Sequence, residues 1–568
     1  MVVFVLLSGC FASSWAFAAE PLDRASQELL RQQEREQVLR RQQEQTPDVR
    51  LQPSLSAASG RLPNEESPCF RIDRILLTGE YAERFQWTLA FADRTDDGAS
   101  DPALHRCLGT DGINLVMRRI QNAIITRGFV TTRILAEPQD LSTGTLRLTL
   151  IPGRIRAIRC AEGTESRATL WNALPAGPGD LLNLRDIEQA LENFKRLPTA
   201  DADIRIAPAE GEGAGPGDSD LIIAWKQRFP IRITLSADDS GTKATGKYQG
   251  TATFSWDHFL TLNDMAYVSL NHDIGNGDSG ERGTEGGVAH YSVPLGYWLL
   301  GLTASRNDYH QSVAGASQTY LYSGESDNGS LELSRLVYRD DVRKATVSLG
   351  GWTRSSKNFI DDTEIEVQRR RMAGWEMGAN YRQFIDSGVF ELHLGYKRGT
   401  GALDALPAPE EPFGEGTSRP EILTAAAQLM LPFTLGSQRF RYLGEARGQW
   451  HGTPLVPQDR FAIGGRYTVR GFDGEYSLLA ERGWLVRNDL GWGIGTTGQE
   501  LYVGLDHGEV GGPGSDILAG KRLTGAVLGL RGGFGGLAYD IFLGGPLAKP
   551  EGFTTADWVT GFSLSWTF

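Results

Sequence analysis

After its first nineteen residues the chain lacks any stretch of the roughly 18 or more apolar residues that a membrane-spanning helix requires, so any passage through a bilayer must use strands. It lacks a basic surplus as well. Lys and Arg number 57 against 70 Asp and Glu, a net charge of -13, which excludes a nucleic-acid surface because phosphate contacts need clustered cations. Histidines are few and scattered, without metal-ligand spacing, and no glycine-lysine-serine/threonine phosphate loop exists. The one protease-like string, Gly277-Asp278-Ser279-Gly280, lies in the polar turn "GNGDSGERG" with no histidine in a matching context. No enzyme activity and no cofactor or metal is expected.

What is abundant is glycine, 69 of 568 residues, with 13 Trp, 16 Tyr and 24 Phe. Glycines and aromatics in such numbers suit short strands, turns and interfacial girdles. A mean hydropathy of -0.29 is compatible with a membrane barrel, whose lumen-facing residues are polar. The N-terminus "MVVFVLLSGCFASSWAFAAE" is apolar and ends in the small-x-small site Ala16-Phe17-Ala18, which reads as a secretory signal over residues 1–18. It has no basic leader, and Leu7-Ser8-Gly9-Cys10 offers a competing lipobox. Once the signal is removed, Cys69, Cys107 and Cys160 remain. In an oxidising periplasm two can pair. Cys69 opens a predicted strand and Cys107 precedes a predicted helix, which favours a bridge between them; three unpaired buried thiols are the alternative.

Residues 19–50 are rich in Gln, Glu and Arg and contain no glycine, which predicts a helix ended by Pro47. It is polar nearly all round, so it belongs in solvent, in a coiled coil or in a water-filled channel. Residues 51–68 read as a flexible linker. Two α+β modules follow, 69–152 and 153–228. The first has strands in "CFRIDRILLTG", "FVTTRILAEP" and "GTLRLTLIPG" and a helix in "INLVMRRIQNAIITRG". The second repeats the plan with "GRIRAIRC", "NLRDIEQALENFKRLP", "ADIRIAP" and "SDLIIAWKQ".

From 229 to 568 helical periodicity disappears. Sixteen alternating segments begin near 231, 247, 264, 284, 297, 317, 341, 364, 387, 420, 438, 484, 500, 522, 536 and 559, about ten residues each, with short and long connections alternating. Such a series predicts an outer-membrane barrel. Alternation sets the facing: in "RYLGEARGQW" Tyr442, Gly444, Ala446 and Trp450 face lipid, and Arg441, Glu445, Arg447 and Gln449 the lumen. The last strand puts Phe562, Leu564, Trp566 and the C-terminal Phe568 on one face, an ending common among such barrels.

In "ELYVGLDHGEV" the same rule turns Leu501, Val503 and Leu505 outward and Tyr502, Gly504, Asp506 and Gly508 inward. Residues 451–483 have no clear period and are too long for an ordinary loop; they contain "YTVRGFDGE". If that loop folds into the barrel, Arg470 can pair with Asp506, Gly471 can approach the wall and Phe472 can pack on it. On the residues alone, the plainer reading of Arg470 as a solvated loop charge and Asp506 as one lumen charge among many stands ahead.

Val469-Arg470-Gly471-Phe472 followed by Gly504-x-Asp506-x-Gly508 resembles the paired motifs of the Omp85 superfamily. Within it, the order of signal, helix, linker, two modules and sixteen strands resembles the two-partner secretion transporters, the hemolysin secretion or activation branch. "SPCFRIDRILLTG", "RGFVTTRILAEPQDLSTGTLRLTLIPGRI", "HYSVPLGYW" and "SRLVYRD" agree. The resemblance implies that the modules are POTRA domains, that the N-terminal helix plugs a 16-stranded antiparallel transmembrane β-barrel, and that Arg470 of an inserted loop pairs with Asp506. It implies a Cys69–Cys107 disulfide and gives Cys160 no counterpart. The implied partner is a large, separately encoded β-helical exoprotein, an adhesin, hemolysin or toxin, met through the POTRA domains without ATP. Membrane lipids and the barrel assembly machinery are further expected partners, and nucleic acid is not. An assembly factor that inserts other barrels is the alternative; a passive porin leaves some 200 periplasmic residues unexplained.

Overall fold

The computed structural model describes residues 16–44, 47–53, 55, 60–95 and 97–568, the side chains of 16–25 excepted. Of the expected signal peptide, residues 1–15, Cys10 among them, lie outside the described residues. The N-terminal helix spans Ala16–Gln43, so it ends before Pro47 rather than at it. Beyond it the chain is extended and docked. The amides of Val49 and Leu51 donate to Glu192 (2.9 Å) and Glu188 (2.7 Å) of the second module, whose core their side chains join.

The segment expected to be a flexible linker is therefore held at both ends. At its far end Leu62 is buried in the first module's core. The Glu66 carboxylate accepts hydrogen bonds from the amides of Gly109, Asp111 and Gly112, capping the helix Thr110–Thr126, where free N–H groups and the helix dipole favour an anion.

Each module packs helices on a three-stranded sheet. In the first, Arg74–Thr78 runs parallel to Thr145–Ile151, which pairs antiparallel with Arg133–Leu135. The strand expected through "CFRIDRILLTG" is split at Asp73. Phe70–Ile72 leaves the sheet to pair with Arg106–Leu108, and the Cys69–Cys107 disulfide lies at that ribbon. The strand expected through "FVTTRILAEP" shrinks to Arg133–Leu135. In the second module Arg154–Cys160 runs parallel to Asp218–Gln227, which pairs with Ala200–Pro208. The helix Leu184–Lys195 starts where the Asn183 side chain accepts from the Arg185 amide, and it buries Leu184, Ile187, Leu191 and Phe194. Cys160 is a free, exposed thiol.

Sixteen long strands among the described residues close an antiparallel barrel from Ile231–Asp238 to Val559–Thr567. The eighth begins at Arg370 rather than near 364, because Thr363–Glu364 folds back as a two-residue pairing on Arg343–Ile360. Strand lengths run from 8 residues, Ile231–Asp238, to 21, Thr319–Arg339, longer than the expected ten. A tilted strand of about 9–11 residues already crosses a bilayer, so the longest hairpins rise beyond it on the side away from the modules. The seam between last and first strands runs from Ser563↔Asp238 to Thr567↔Thr234. Phe568 extends it, exchanging two backbone hydrogen bonds of 3.0 Å with Ile233. Outward aromatics ring both ends: Trp256, Trp298, Trp492 and Trp566 near the modules, Trp450 and Trp484 opposite.

The second module sits against the barrel rim. Arg196 donates to the Ser292 hydroxyl (2.6 Å) and the Asn263 carbonyl (3.1 Å), and Asn193 to the Gly296 carbonyl (2.8 Å). Arg339, in the strand Thr319–Arg339, binds Glu188 (2.9 Å), Glu192 (2.8 Å) and the Val49 carbonyl (2.6 Å). The backbone of the docked segment, Glu188 and Glu192 of the second module and Arg339 of the rim thus form one network.

In the first module Arg119 and Asp101 are buried together at 2.7 Å. Burial raises the Asp101 carboxyl's affinity for protons, but hydrogen bonds from Arg119 and the Leu62 amide and the charge of Arg106 outweigh it and hold its pKa below the ordinary value. A carboxylate lowered on folding stabilises the fold above its unfolded value, about 3.9, and loses that contribution as pH falls through the lower folded value. Calorimetry of the full chain should show the modules' transition weakening below about pH 4, and Asp101→Asn should flatten that dependence. Asp101→Ala should cost about 3 kcal/mol at neutral pH by stranding Arg119.

Candidate functional site

The connection between Gln438–His451 and Arg482–Gly493 was expected to have no structure of its own. It instead contains a 3-10 turn, Pro457–Asp459, and a small hairpin, Phe461–Ile463 with Leu478–Ala480. The hairpin is too short to show as a strand period. It folds into the barrel on an apolar footing of Ile463, Val469, Phe472 and Leu478 against Leu485, Val510, Leu523 and Phe553. The Phe472 and Phe553 rings meet edge to face at 5.9 Å.

Alternation along Glu500–Gly511 turns Leu501, Val503 and Leu505 outward, each more than a third exposed, while Tyr502 and Asp506 are 1% exposed. The loop brings Arg470 to Asp506 in a two-pronged contact, Nε to Oδ2 at 2.7 Å and Nη2 to Oδ1 at 2.8 Å. The Arg470 amide also donates to Asp506 Oδ2 at 2.9 Å. One carboxylate thus fixes both the side chain and the backbone of the loop. Charge-assisted, forked bonds of this kind are the strongest polar contacts a protein makes.

Asp489, on the adjacent strand Arg482–Gly493, was not singled out from the sequence. Its carboxylate accepts from Arg470 Nη2 at 2.5 Å and from Arg531 Nη1 at 2.9 Å. Arg531 continues to Glu500, and Arg487 lies 3.8 Å from Asp506. The sequence did carry a signal: Trp484, Leu490 and Trp492 alternate on the outer face of this strand, which turns Asp489 inward. Its place opposite Gly504, and so beside Arg470, could not be read from one chain's pattern.

Glycines shape the floor. Gly471 has φ +92, and a Cβ there would meet the Gly545 carbonyl oxygen at 2.5 Å, so the position needs glycine for both conformation and space. A Cβ on Gly525 would lie 1.9 Å from the Arg470 carbonyl oxygen, one on Gly504 2.8 Å from Arg470 Nη2, and one on Gly508 2.9 Å from Val469. The loop backbone therefore lies directly on the strands.

The N-terminal helix runs through the same lumen. Glu28 contacts Thr245 at 3.2 Å, Glu36 contacts Ser305 at 3.1 Å and Gln43 contacts Ser255 at 3.0 Å. Arg31 donates to the Gly474 carbonyl of the inserted loop. Glu28 is also paired within the helix to Arg35 at 3.0 Å and Arg31 at 3.6 Å. Helix and wall thus meet through hydrogen bonds, with Leu29 among the few apolar side chains buried there.

Among the described residues no cluster of His, Cys, Asp or Glu could hold a metal. The site consists of a loop pinned by one guanidinium between two carboxylates, beside a polar helix. Gly525→Ala keeps every charge but pushes the loop backbone off the wall. Limited proteolysis of the folded barrel should therefore cut within 452–481 faster in this variant than in wild type, and at least as fast as in Asp506→Ala.

Comparison with known proteins gives three family matches: Haemolysin secretion/activation protein ShlB/FhaC/HecB over residues 217–532, POTRA domain over 154–208, and POTRA domain, ShlB-type, over 88–153. The chain is 38% identical over 564 residues to the outer membrane transporter CdiB-2 of Burkholderia pseudomallei (strain 1026b), covering 97% of this chain and 95% of that one. It is 29% identical to the outer membrane transporter CdiB of Escherichia coli, covering 92% and 86%. The solved structure of CdiB from Acinetobacter baumannii superposes with a TM-score of 0.82 at 30% identity, covering 96% of this chain and 99% of that one.

Proposed function

Because the chain belongs to the haemolysin secretion/activation protein family, we propose that it is the pore through which a separately made β-helical exoprotein leaves the cell. It is an outer-membrane protein of the two-partner secretion type, with two POTRA domains in the periplasm ahead of a closed sixteen-stranded barrel.

The observation that carries the reading is the helix in the lumen. Its contacts with the wall are mostly polar, hydrogen bonds to Thr245, Ser255 and Ser305 and a looser ion pair of Arg40 with Glu332 at 3.7 Å, and it carries its own counter-ions at Glu28, Arg31 and Arg35. Water or an extended chain can replace such contacts without exposing a large apolar surface, so the helix can leave and the pore remain folded. Arg154–Cys160 and Ala200–Pro208 are edges of the second module's sheet, and Arg74–Thr78 is an edge of the first, which suits capture of an extended partner segment by strand addition. The chain contains no phosphate-binding loop, and folding of the cargo outside supplies the direction of travel. The latch at Arg470 keeps the loop against the wall while the chain passes. Phe568, paired into the seam, is the end that the assembly machinery meets before the barrel closes, and the outward aromatics meet lipid.

Deleting residues 20–50 should raise single-channel conductance in planar bilayers; unchanged conductance would end the plug reading. Arg470→Ala leaves Asp506 and Asp489 buried without their shared cation, and Asp506→Ala removes the backbone anchor, each at about 3–5 kcal/mol to the seated loop. Both variants should assemble, shown by heat-modifiable migration, yet release far less exoprotein to the medium when co-expressed with it. Wild-type secretion by both would refute the latch.

A further inference from the structure

The barrel rim that faces the modules carries an apolar belt on its outer side. Trp256 is 36% exposed, Phe259 42%, Leu260 53% and Trp298 39%. The Trp256 and Phe259 rings meet at 4.9 Å, and the Arg335 guanidinium lies 4.9 Å over the Trp298 ring. Tryptophan beside a cation marks the level at which hydrocarbon gives way to headgroups.

The second POTRA domain continues this belt. Its segment 161–176 is tied to the rim by hydrogen bonds to main-chain carbonyls: Arg167 Nη2 donates to the His258 carbonyl (3.3 Å), Asn263 Nδ2 to the Thr169 carbonyl (2.7 Å), and the Gly296 amide to the Asn172 carbonyl (2.8 Å). Asn172 is turned into the rim and is 1% exposed, whereas Trp171 beside it is 68% exposed. The backbone on which this indole stands is fixed to two rim turns, so its place beside the belt is set by the fold.

We infer that Trp171 is a membrane contact of the second POTRA domain, its indole seated in the phospholipid headgroup layer of the leaflet facing the modules. That layer adds roughly 5–8 Å beyond the hydrocarbon core on each side, and a segment one hydrogen bond from the rim lies within it. An indole suits the layer because it has a large apolar body and one N–H donor. Arg167 four residues earlier is exposed, and the guanidinium nitrogens not bonded to the His258 carbonyl add donors for lipid phosphate. The contact would hold the domain's tilt beneath the pore through the bilayer as well as through the barrel.

A control position follows from the same fold. Ala200–Pro208 starts at the rim, where Thr199 bonds Asp257, and runs 9 residues to its other end, so at about 3.3 Å per residue Glu212, beyond that end, stands up to about 30 Å from the rim along the strand. In a Cys10→Ser, Cys160→Ser background that keeps the Cys69–Cys107 disulfide, Trp171→Cys, Glu212→Cys and the belt reference Leu260→Cys are labelled with a nitrobenzoxadiazole probe. The proteins are placed in phospholipid nanodiscs carrying headgroup-spin-labelled lipid. Quenching at 171 should approach that at 260 and exceed that at 212 several-fold; quenching no greater than at 212 overturns the inference. With the wild-type chain, amide exchange across 165–172 should be slower in nanodiscs than in amphipol, which offers no bilayer. Equal exchange would overturn it as well.

Discussion

Inside a bilayer every backbone N–H and C=O must find a partner in the protein itself, and the rest of this structure follows from how the chain meets that demand. The strand Val559–Thr567 returns to Ile231–Asp238 and leaves no free edge. The closing register is short, so Phe568 adds its own pair of bonds to Ile233. Closure forces alternation, with one face in lipid and the other enclosing water. A barrel of sixteen strands encloses more space than side chains can fill, and the chain fills it from both ends, with a helix from the N-terminal side and a folded loop between the eleventh and twelfth strands.

The two fillers are held by different physics. The loop is seated on apolar contacts around Phe472 and Phe553 and on Arg470, which is 4% exposed between two carboxylates. Such a cluster is costly to break from either side, because any member left alone is a buried charge. The helix has nothing comparable. Glu28 is satisfied by Arg31, Arg35 and Thr245, Arg40 reaches the wall carboxylate of Glu332 at 3.7 Å and Arg31 the Gly474 carbonyl, contacts that water can replace at small net cost. Buried charge and apolar packing hold the loop, and mostly polar contacts hold the helix.

Much of this was legible from alternation and helical period, which report burial directly. The sixteen strands, the inward turn of Tyr502 and Asp506, and the core helix with Ile187, Leu191 and Phe194 fall in this class. What stayed hidden depended on contacts distant in sequence. Asp489 became a partner of Arg470 only through its cross-strand register. Glu66 looked like one polar residue of a linker, yet it caps a helix more than forty residues later. The split of "CFRIDRILLTG" at Asp73 and the hairpin within 452–481 fail for another reason: three-residue strands are too short to show a period. Family resemblance supplied the Arg470–Asp506 pairing, whereas residue physics alone had left it behind the plainer reading.

The docked segment after the helix links the exchangeable element to the fixed ones. Glu188 and Glu192 accept from the amides of Leu51 and Val49, and the same carboxylates hold Arg339 of the barrel. Lys344 bridges Glu192 at 2.5 Å to Asp48 at 2.9 Å, and Arg382 reaches Asp48 at 2.5 Å. Three acids and three bases therefore join the helix's trailing segment, the second POTRA domain and the barrel rim. Under the plug reading proposed above, a helix that left the lumen on the module side would leave this cluster intact, with each of its acids and bases still paired.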